Sequence, residues 1–192
     1  YMILVEGLSL SVNQQTPKAK PDFTVVFQDL MEFVSSCGEC LFTPYAFFPP
    51  ILIAKPNSFL TKTFCWAVPH IGWALRFINK VPGIACFHLP VIFNQSKALQ
   101  LITGEKQTFG GCLKKGKRGY TLERYINTRL GISRKDDTLP SRLTDVPQDP
   151  NDPTTKVPLE RMKTTYYKAR GWNEEGIPTK HTLNKLHIGD LY

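Results

Sequence analysis

The sequence contains no uncharged apolar run of the ~20 residues that a membrane-spanning helix requires. Its most apolar stretch, residues 41–93, is interrupted by four basic residues and by several prolines. A stretch that is interrupted in this way is typical of buried loops and short helices. We therefore predict no membrane span.

Cysteine is scarce and odd in number, with five irregularly spaced residues: Cys37, Cys40, Cys65, Cys86 and Cys112. Small secreted domains that depend on disulfides carry a dense and even set instead. A chain of 192 residues can also bury most of its apolar surface without such bridges. It begins with Tyr and shows neither a basic n-region nor a small-residue cleavage site. We therefore predict a reducing, cytoplasmic location and a piece of a longer polypeptide.

Acidic residues are also few, because 16 Asp and Glu face 24 Lys and Arg and leave a formal charge of +8. The excess lies mainly after Gly104, and it would suit nucleic acid, an anionic cofactor or an acidic protein. An excess this diffuse is more usual for a solvated helical surface. The string "YYKARGW" mixes aromatics with cations, but an aromatic helix face packed into a core explains it more simply than base stacking. We therefore predict no nucleic-acid partner.

No stretch keeps the alternation of a β-strand, and no repeat with a period of roughly 20 to 50 residues is visible. Helical spacing is found instead, first in a segment with one apolar face that Asp22 would cap and Gly38 would follow. The fold class predicted is mostly α, an irregular helical domain with long Pro-rich connections. This domain would span residues 22–192, with a linker or the start of the fragment over residues 1–21.

Further helices are indicated along the chain by the same signals. One or two short helices should break near Pro69, another should span residues 96–104, and the strongest should end at Gly131. Gly116 and Gly119 weaken the first half of that strongest helix, each by up to about 1 kcal/mol relative to Ala. Close packing against a neighbour would explain both glycines.

The last third of the chain has two parts. Residues 133–158 carry little periodicity and several prolines, which favours an extended strap over the surface. The strap leads into a final amphipathic helix with Leu159, Met162, Tyr166 and Ala169 on one face, followed by a tail.

Cys37 and Cys40 form the only Cys-x-x-Cys pair in the sequence. Such a pair serves half of a zinc site, a redox disulfide, part of an iron–sulfur ligand set, or simply two buried thiols. Zinc lacks a second ligand pair, and a thioredoxin-like pair should precede a helix rather than follow one. The other candidate ligands are scattered: Cys65, Cys86, His70, His88, His181 and His187. Spacing alone therefore leaves the iron–sulfur and the structural interpretations open.

Three strings in series resemble the carboxyl-terminal part of the tungsten-containing aldehyde ferredoxin oxidoreductases. They are "VSSCGECLFT" at residues 34–43, "LERYINTRLGISRKDDTLPSRL" at residues 122–143 and "YYKARGWNEEGIPTKHTLNKL" at residues 166–186. Their order and spacing fit the family, and the similarity covers roughly residues 22–188. The resemblance implies the helical carboxyl-terminal domain of these enzymes as the fold.

The same resemblance implies an activity and its cofactors. Enzymes of this family oxidise an aldehyde to a carboxylate at a tungsten ion held by two pterin dithiolenes, a tungstopterin, with molybdenum as the alternative metal. A [4Fe-4S] cluster then passes the electrons to ferredoxin. The protein places and tunes these groups, which carry the chemistry. The partners implied are ferredoxin, the aldehyde substrate and the remainder of the same polypeptide, and a homo-oligomer is left open.

Residue by residue, the resemblance assigns three positions near the first string. Cys40 matches the fourth cluster ligand and is the metal ligand of this chain. Glu39, directly before it, would lie against the pterin through its backbone, because its carboxylate would repel an anionic cofactor. Ser35 stands where the family has a pterin-binding aspartate, so a neutral hydroxyl replaces a charge-assisted contact. Cys37 matches no ligand position, which makes it a packing thiol.

The family's acid and base residues lie upstream of the matched region, so no catalytic residue is assigned within residues 1–192. The chain alone should therefore be inactive. Two alternatives remain: a related tungsten enzyme that acts on a carboxylic acid or an aromatic acyl-thioester, and a basic helical binding module without a cofactor.

Overall fold

The computed structural model describes residues 17–38, 40, 55, 57–67, 69–86 and 94–189. Eight α-helices lie in these ranges: α1 Lys20–Ser36, α2 Phe59–Ala67, α3 Gly72–Lys80, α4 Asn94–Thr103, α5 Phe109–Arg129, α6 Ser141–Thr144, α7 Leu159–Arg170 and α8 Lys180–Lys185. Two short 3-10 turns accompany them, Pro82–Ile84 and Pro153–Thr155. The only β pairing within the described ranges is two isolated bridges, so the predicted mostly α class is confirmed.

Helix α1 begins earlier than the sequence indicates, and the prediction that Asp22 caps it is wrong. The capping position is Ala19, in the left-handed conformation with φ 60°, and no side chain caps the helix. Asp22 lies in the first turn, where it is buried and its carboxylate binds Arg76 at 3.1 Å. Because the capping residue precedes the first helical residue, Asp22 lies too far into the helix to serve as its cap. Residues 1–16 of the predicted linker lie outside the described residues.

Glycines end three helices as expected. Gly38, Gly104 and Gly131 follow α1, α4 and α5 with φ of 74°, 74° and 98°. Because a residue with a side chain is strained in this left-handed region, glycine is the usual residue at these positions. The predicted break near Pro69 is also confirmed, since α2 ends at Ala67 and α3 starts at Gly72.

The core lies mainly between α1 and α5, the longest helix. One cluster contains Val26, Leu75 and Leu113, and a second contains Phe33, Val34 and Cys112. Gly116 of α5 allows the two helices to touch, because a Cβ at this position would lie 1.7 Å from the carbonyl oxygen of Asp29. The prediction that close packing requires this glycine is confirmed.

Replacement of Gly116 by alanine should therefore separate α1 from α5. The backbone contact cannot move locally, and we expect a loss of about 2–3 kcal/mol in the free energy of unfolding. Gly119→Ala is the matched control, since its Cβ would meet only the flexible Glu32 side chain, at 2.6 Å. This control should stay within about 1 kcal/mol of the wild type, because alanine also favours the helix. Urea denaturation measures both, and equal losses would contradict the packing role of Gly116.

The final third of the chain holds a helix that the sequence did not indicate. Helix α8 follows the predicted last helix α7, and Thr179 caps it by accepting a hydrogen bond from the Thr182 N–H. Leu183, Leu186 and Ile188 pack against Tyr125 of α5, so the tail forms part of a core cluster. Across the described residues, no helix is both long and apolar enough to cross a bilayer.

Candidate functional site

The Cys-x-x-Cys pair lies where helix α1 ends. The Cys37 N–H donates to the carbonyl of Phe33 at 3.1 Å, and the Gly38 N–H donates to that of Ser35 at 2.9 Å. Ser35 and Cys40 are exposed, and Cys37 is half-buried. Glu39, the third predicted site residue, lies outside the described residues. The structure thus brings Ser35 and Cys40 to one exposed end of α1.

The cysteines around this end differ in their surroundings. Cys37 packs against the cluster of Phe33, Val34 and Cys112. Burial raises the pKa of Cys112 to about 11, although Lys115 opposes the rise, so that thiol stays protonated at neutral pH. All five cysteines lie in the described ranges, and there none of them forms a disulfide. Cys40, in contrast, is exposed after the end of α1, so a group held by another part of the protein can contact its thiol.

A cluster bound at this end would need most of its ligands from elsewhere. In the part of the chain that the structure describes, no three His, Cys, Asp or Glu residues come together as a metal site. An exposed cysteine beyond a helix end, with a left-handed glycine two residues before it, fits a single ligand that closes a site held mainly by other residues. These residues therefore fit the predicted role, in which this chain contributes one thiolate.

A buried ion pair joins α1 to α7, and sequence reasoning missed it. Arg170 of α7 is fully buried, and its guanidinium donates to the Asp29 carboxylate of α1, which is 2% exposed. The same guanidinium donates to Gln28 Oε1 at 2.8 Å and to the Tyr166 hydroxyl at 3.0 Å. It also lies 4.2 Å from the centre of the Tyr120 ring. Helices α1, α5 and α7 therefore meet around one arginine.

Both members of this pair are strongly affected by their environment. Burial raises the pKa of Asp29, and the Arg170 guanidinium opposes that rise. Burial alone would lower the pKa of Arg170, but Asp29 and Tyr166 raise it overall, so the guanidinium stays charged. Lys117 lies nearby, where burial lowers its pKa to about 8 against the attraction of Asp29. The charges at this junction compensate one another rather than face solvent.

A second polar cluster fixes the strap. Arg124 of α5 donates two hydrogen bonds to Asp137, at 2.8 and 2.6 Å, and one to the Gly176 carbonyl at 2.8 Å. The Tyr167 hydroxyl donates to the same Asp137 carboxylate. Burial alone would raise the pKa of Asp137, but the bonds from Arg124 and Tyr167 lower it. Trp172 lies 5.2 Å from the Arg124 guanidinium and is 7% exposed.

These contacts confirm that the aromatics of "YYKARGW" pack inside the protein. Tyr167 is 3% exposed, and Tyr166 donates from its hydroxyl to Gln28 Oε1 at 2.6 Å. A cavity of about 500 Å³ lies beside them, between α1, α5, the strap and α7. The two later strings that carried the resemblance therefore meet in space, since Arg124, Asp137 and Tyr167 come from both of them.

The comparisons with known proteins agree with this geometry. Residues 1–188 match the family described as aldehyde ferredoxin oxidoreductase, domains 2 & 3. The chain is 41% identical over 198 residues to a tungsten-containing aldehyde ferredoxin oxidoreductase of Pyrococcus furiosus, an alignment that covers the whole chain and 26% of that relative. Proteins of the same name from Pyrococcus abyssi and Thermococcus kodakarensis are 40% and 37% identical over 82 residues, or 41% of this chain and 13% of each relative.

The chain thus spans about a quarter of the length of the Pyrococcus furiosus relative. The family match covers nearly every residue, the helical fold fits it, and the two later strings that suggested it pack together. The chain belongs to the aldehyde ferredoxin oxidoreductase family, as a carboxyl-terminal portion of it.

Proposed function

We propose that this chain completes the redox centre of an enzyme that oxidises aldehydes to carboxylates and passes the electrons to ferredoxin. Cys40 would supply the fourth thiolate of a [4Fe-4S] cluster, and the end of α1 would form part of the wall around a tungsten or molybdenum pterin. The observation that carries this proposal is the exposure of Cys40 and Ser35 together at the end of α1. The name of the Pyrococcus furiosus relative supports the tungsten and the ferredoxin.

The bound tungstopterin would supply the two-electron oxidation itself, in which water provides the new oxygen and protons leave to solvent. The residues of this chain have simpler tasks. Cys40 binds iron as a thiolate, and backbone N–H groups near its sulfur set the potential of the cluster. Ser35 offers a neutral hydroxyl to the pterin, and Glu39 would contact it through the backbone. Cys112 stays protonated and does not compete for iron.

This division of labour explains why the chain alone should be inactive. The described residues offer no metal site of their own, so the other cluster cysteines, the acid and base residues and the rest of the pterin site would come from the remainder of the polypeptide. The substrate would also be selected there, whether an aldehyde, a carboxylic acid or an aromatic acyl-thioester. A reducing cytoplasm would preserve both the cluster and the free-thiol chemistry.

Elemental analysis of the full-length protein, purified without oxygen, tests this function. We expect about four iron and four sulfide per polypeptide, together with tungsten or molybdenum. Aldehyde-dependent reduction of ferredoxin should accompany them. If iron, sulfide and both metals were absent, the enzyme proposal would fail and the cofactor-free basic module would take its place.

A further inference from the structure

A second cavity, of about 910 Å³, opens between α3, the Pro82–Ile84 turn, α5, α7 and α8. Its volume lies in the range of small-molecule sites. Seven of its 19 lining residues are Lys or Arg: Arg76, Lys80, Lys114, Lys117, Lys168, Arg170 and Lys185. Among the described lining residues the only carboxylate is Asp22. The cavity therefore has the electrostatic character of an anion site.

Internal pairing removes only two of these seven charges. Arg76 binds Asp22, and Arg170 binds Asp29. Over the described ranges, the five lysines that remain form no ion pair within 4.0 Å. Five lysines that form no close ion pair thus line one concave surface.

Two of these lysines are held in place by the end of α3. The Lys117 ammonium donates to the Asn79 carbonyl at 3.0 Å, and the Lys185 ammonium donates to the Lys80 carbonyl at 3.2 Å. These bonds stabilise the last carbonyls of the helix, which is a structural role in itself. An ammonium has three N–H donors, so each retains further donors for a ligand. The site is therefore partly preorganised.

Without a bound anion, basic side chains of the cavity repel one another. Lys114 and Lys117 lie three residues apart on α5, and like charges at this spacing destabilise a helix. Burial lowers the pKa of Lys117, and the nearby charges of Arg170 and Lys185 lower it further against the attraction of Asp29. An anion in the cavity would relieve all of these repulsions.

The donors that remain suit an anion with several negative charges. The planar guanidinium groups, which bind carboxylate and phosphate alike, are already occupied by Asp22 and Asp29. The remaining donors are lysine ammonium groups, which bind phosphate oxygens as point charges. We propose that this cavity binds a small phosphate-bearing anion of diphosphate to nucleotide size.

The cavity lies at the opposite end of α1 from Cys40. Asp22 in its wall and Ser36 at the helix end are separated by about 21 Å of helix at 1.5 Å per residue. The inference therefore stands apart from the proposed role of Cys40, and each can fail without the other.

Pyrophosphate binding to the full-length protein tests the site, by calorimetry at about 0.15 M salt. We expect a Kd below about 1 mM, and at least about tenfold weaker binding in the double variant Lys114→Gln/Lys168→Gln. Both lysines are exposed, so their loss should leave the fold intact. The matched control is Lys106→Gln/Lys135→Gln, which removes the same charge from exposed lysines outside the cavity and should change the Kd less than about twofold.

Three outcomes would overturn the proposal. The first is the absence of pyrophosphate binding to the full-length protein. The second is an equal loss in the cavity and control variants, which would indicate only general attraction to a basic surface. The third is equal or tighter binding of citrate, a tricarboxylate, because the lysine lining would then show no preference for phosphate.

Discussion

Replacing Cys40 by alanine in the full-length protein should remove most of its cluster iron and its aldehyde-dependent reduction of ferredoxin. The reason is that a cluster with three thiolates keeps one iron open to solvent and is more easily lost. Exposure of Cys40 at the end of α1 means that the substitution creates no cavity in the core. We expect a loss of more than about half of the iron, with the thermal unfolding of this helical region unchanged. Iron and sulfide analysis with the spectrum of the reduced cluster measures the effect.

Two other cysteines serve as controls for this experiment. Cys37→Ala removes the neighbouring thiol, which packs against Phe33 and Cys112, and should leave the iron content unchanged. Cys86→Ala removes another exposed thiol from a different part of the chain and should have no effect. If Cys37→Ala lost as much iron as Cys40→Ala, the assignment of the ligand to Cys40 would be wrong. If Cys86→Ala did so, exposure rather than position would explain the loss.

The helices that sequence reasoning predicted well are those with local end signals. Gly38, Gly104 and Gly131 end their helices through a left-handed conformation, which is a property of the residue itself. Helix α8 escaped notice because its six residues are too few for periodicity to be recognised. Its stability comes from the packing of Leu183 and Leu186 against Tyr125, which only the fold reveals. The cap at Thr179 was the one local signal that could have indicated it.

Sequence reasoning likewise identified some residues of the candidate site and missed others. Position in a string identified Ser35 and Cys40, and the structure places both on one exposed helix end. Nothing local predicts that Arg170 is buried, because arginine is usually exposed and its partner Asp29 lies 141 residues away. One signal was available, since Arg170 follows Tyr166 by four residues and so continues the face that was predicted to be buried.

The two later strings that suggested the family have a structural reason to occur together. Arg124 comes from one string and Tyr167 from another, and both bind Asp137 of the strap. Arg124 also donates to the Gly176 carbonyl in the loop that precedes α8. This contact network holds α5, the strap and α7 in one arrangement, because its bonds join all three segments. The residues that carry the resemblance in these two strings therefore hold the helices of the domain together. The proposed cofactor contacts depend instead on the end of α1.

The buried arginine yields the second large effect. Arg170→Met should destabilise the protein by about 3–5 kcal/mol, because it leaves the Asp29 carboxylate buried without its partner. Tyr166 and Gln28 also lose a hydrogen bond each. Urea denaturation at pH 7 measures the loss. Arg118→Met is the matched control, since Arg118 is exposed and makes only a long bond to the His187 carbonyl, so it should stay within about 0.5 kcal/mol.

The pH dependence of stability distinguishes two causes of the loss in Arg170→Met, which are an unpaired buried charge and poorer packing. Without Arg170, burial raises the pKa of Asp29 further above its unfolded value, so the folded state binds a proton that the unfolded state has released. The free energy of unfolding of Arg170→Met should then fall, relative to wild type, as the pH rises from the unfolded-state pKa of Asp29 through its raised folded-state pKa. The deficit should accordingly shrink as the pH is lowered from 7 to about 5. Asp29→Leu/Arg170→Met should recover part of the loss, because no buried charge remains. A deficit that is constant with pH and is not reduced in the double variant would show that Arg170 acts through its shape alone.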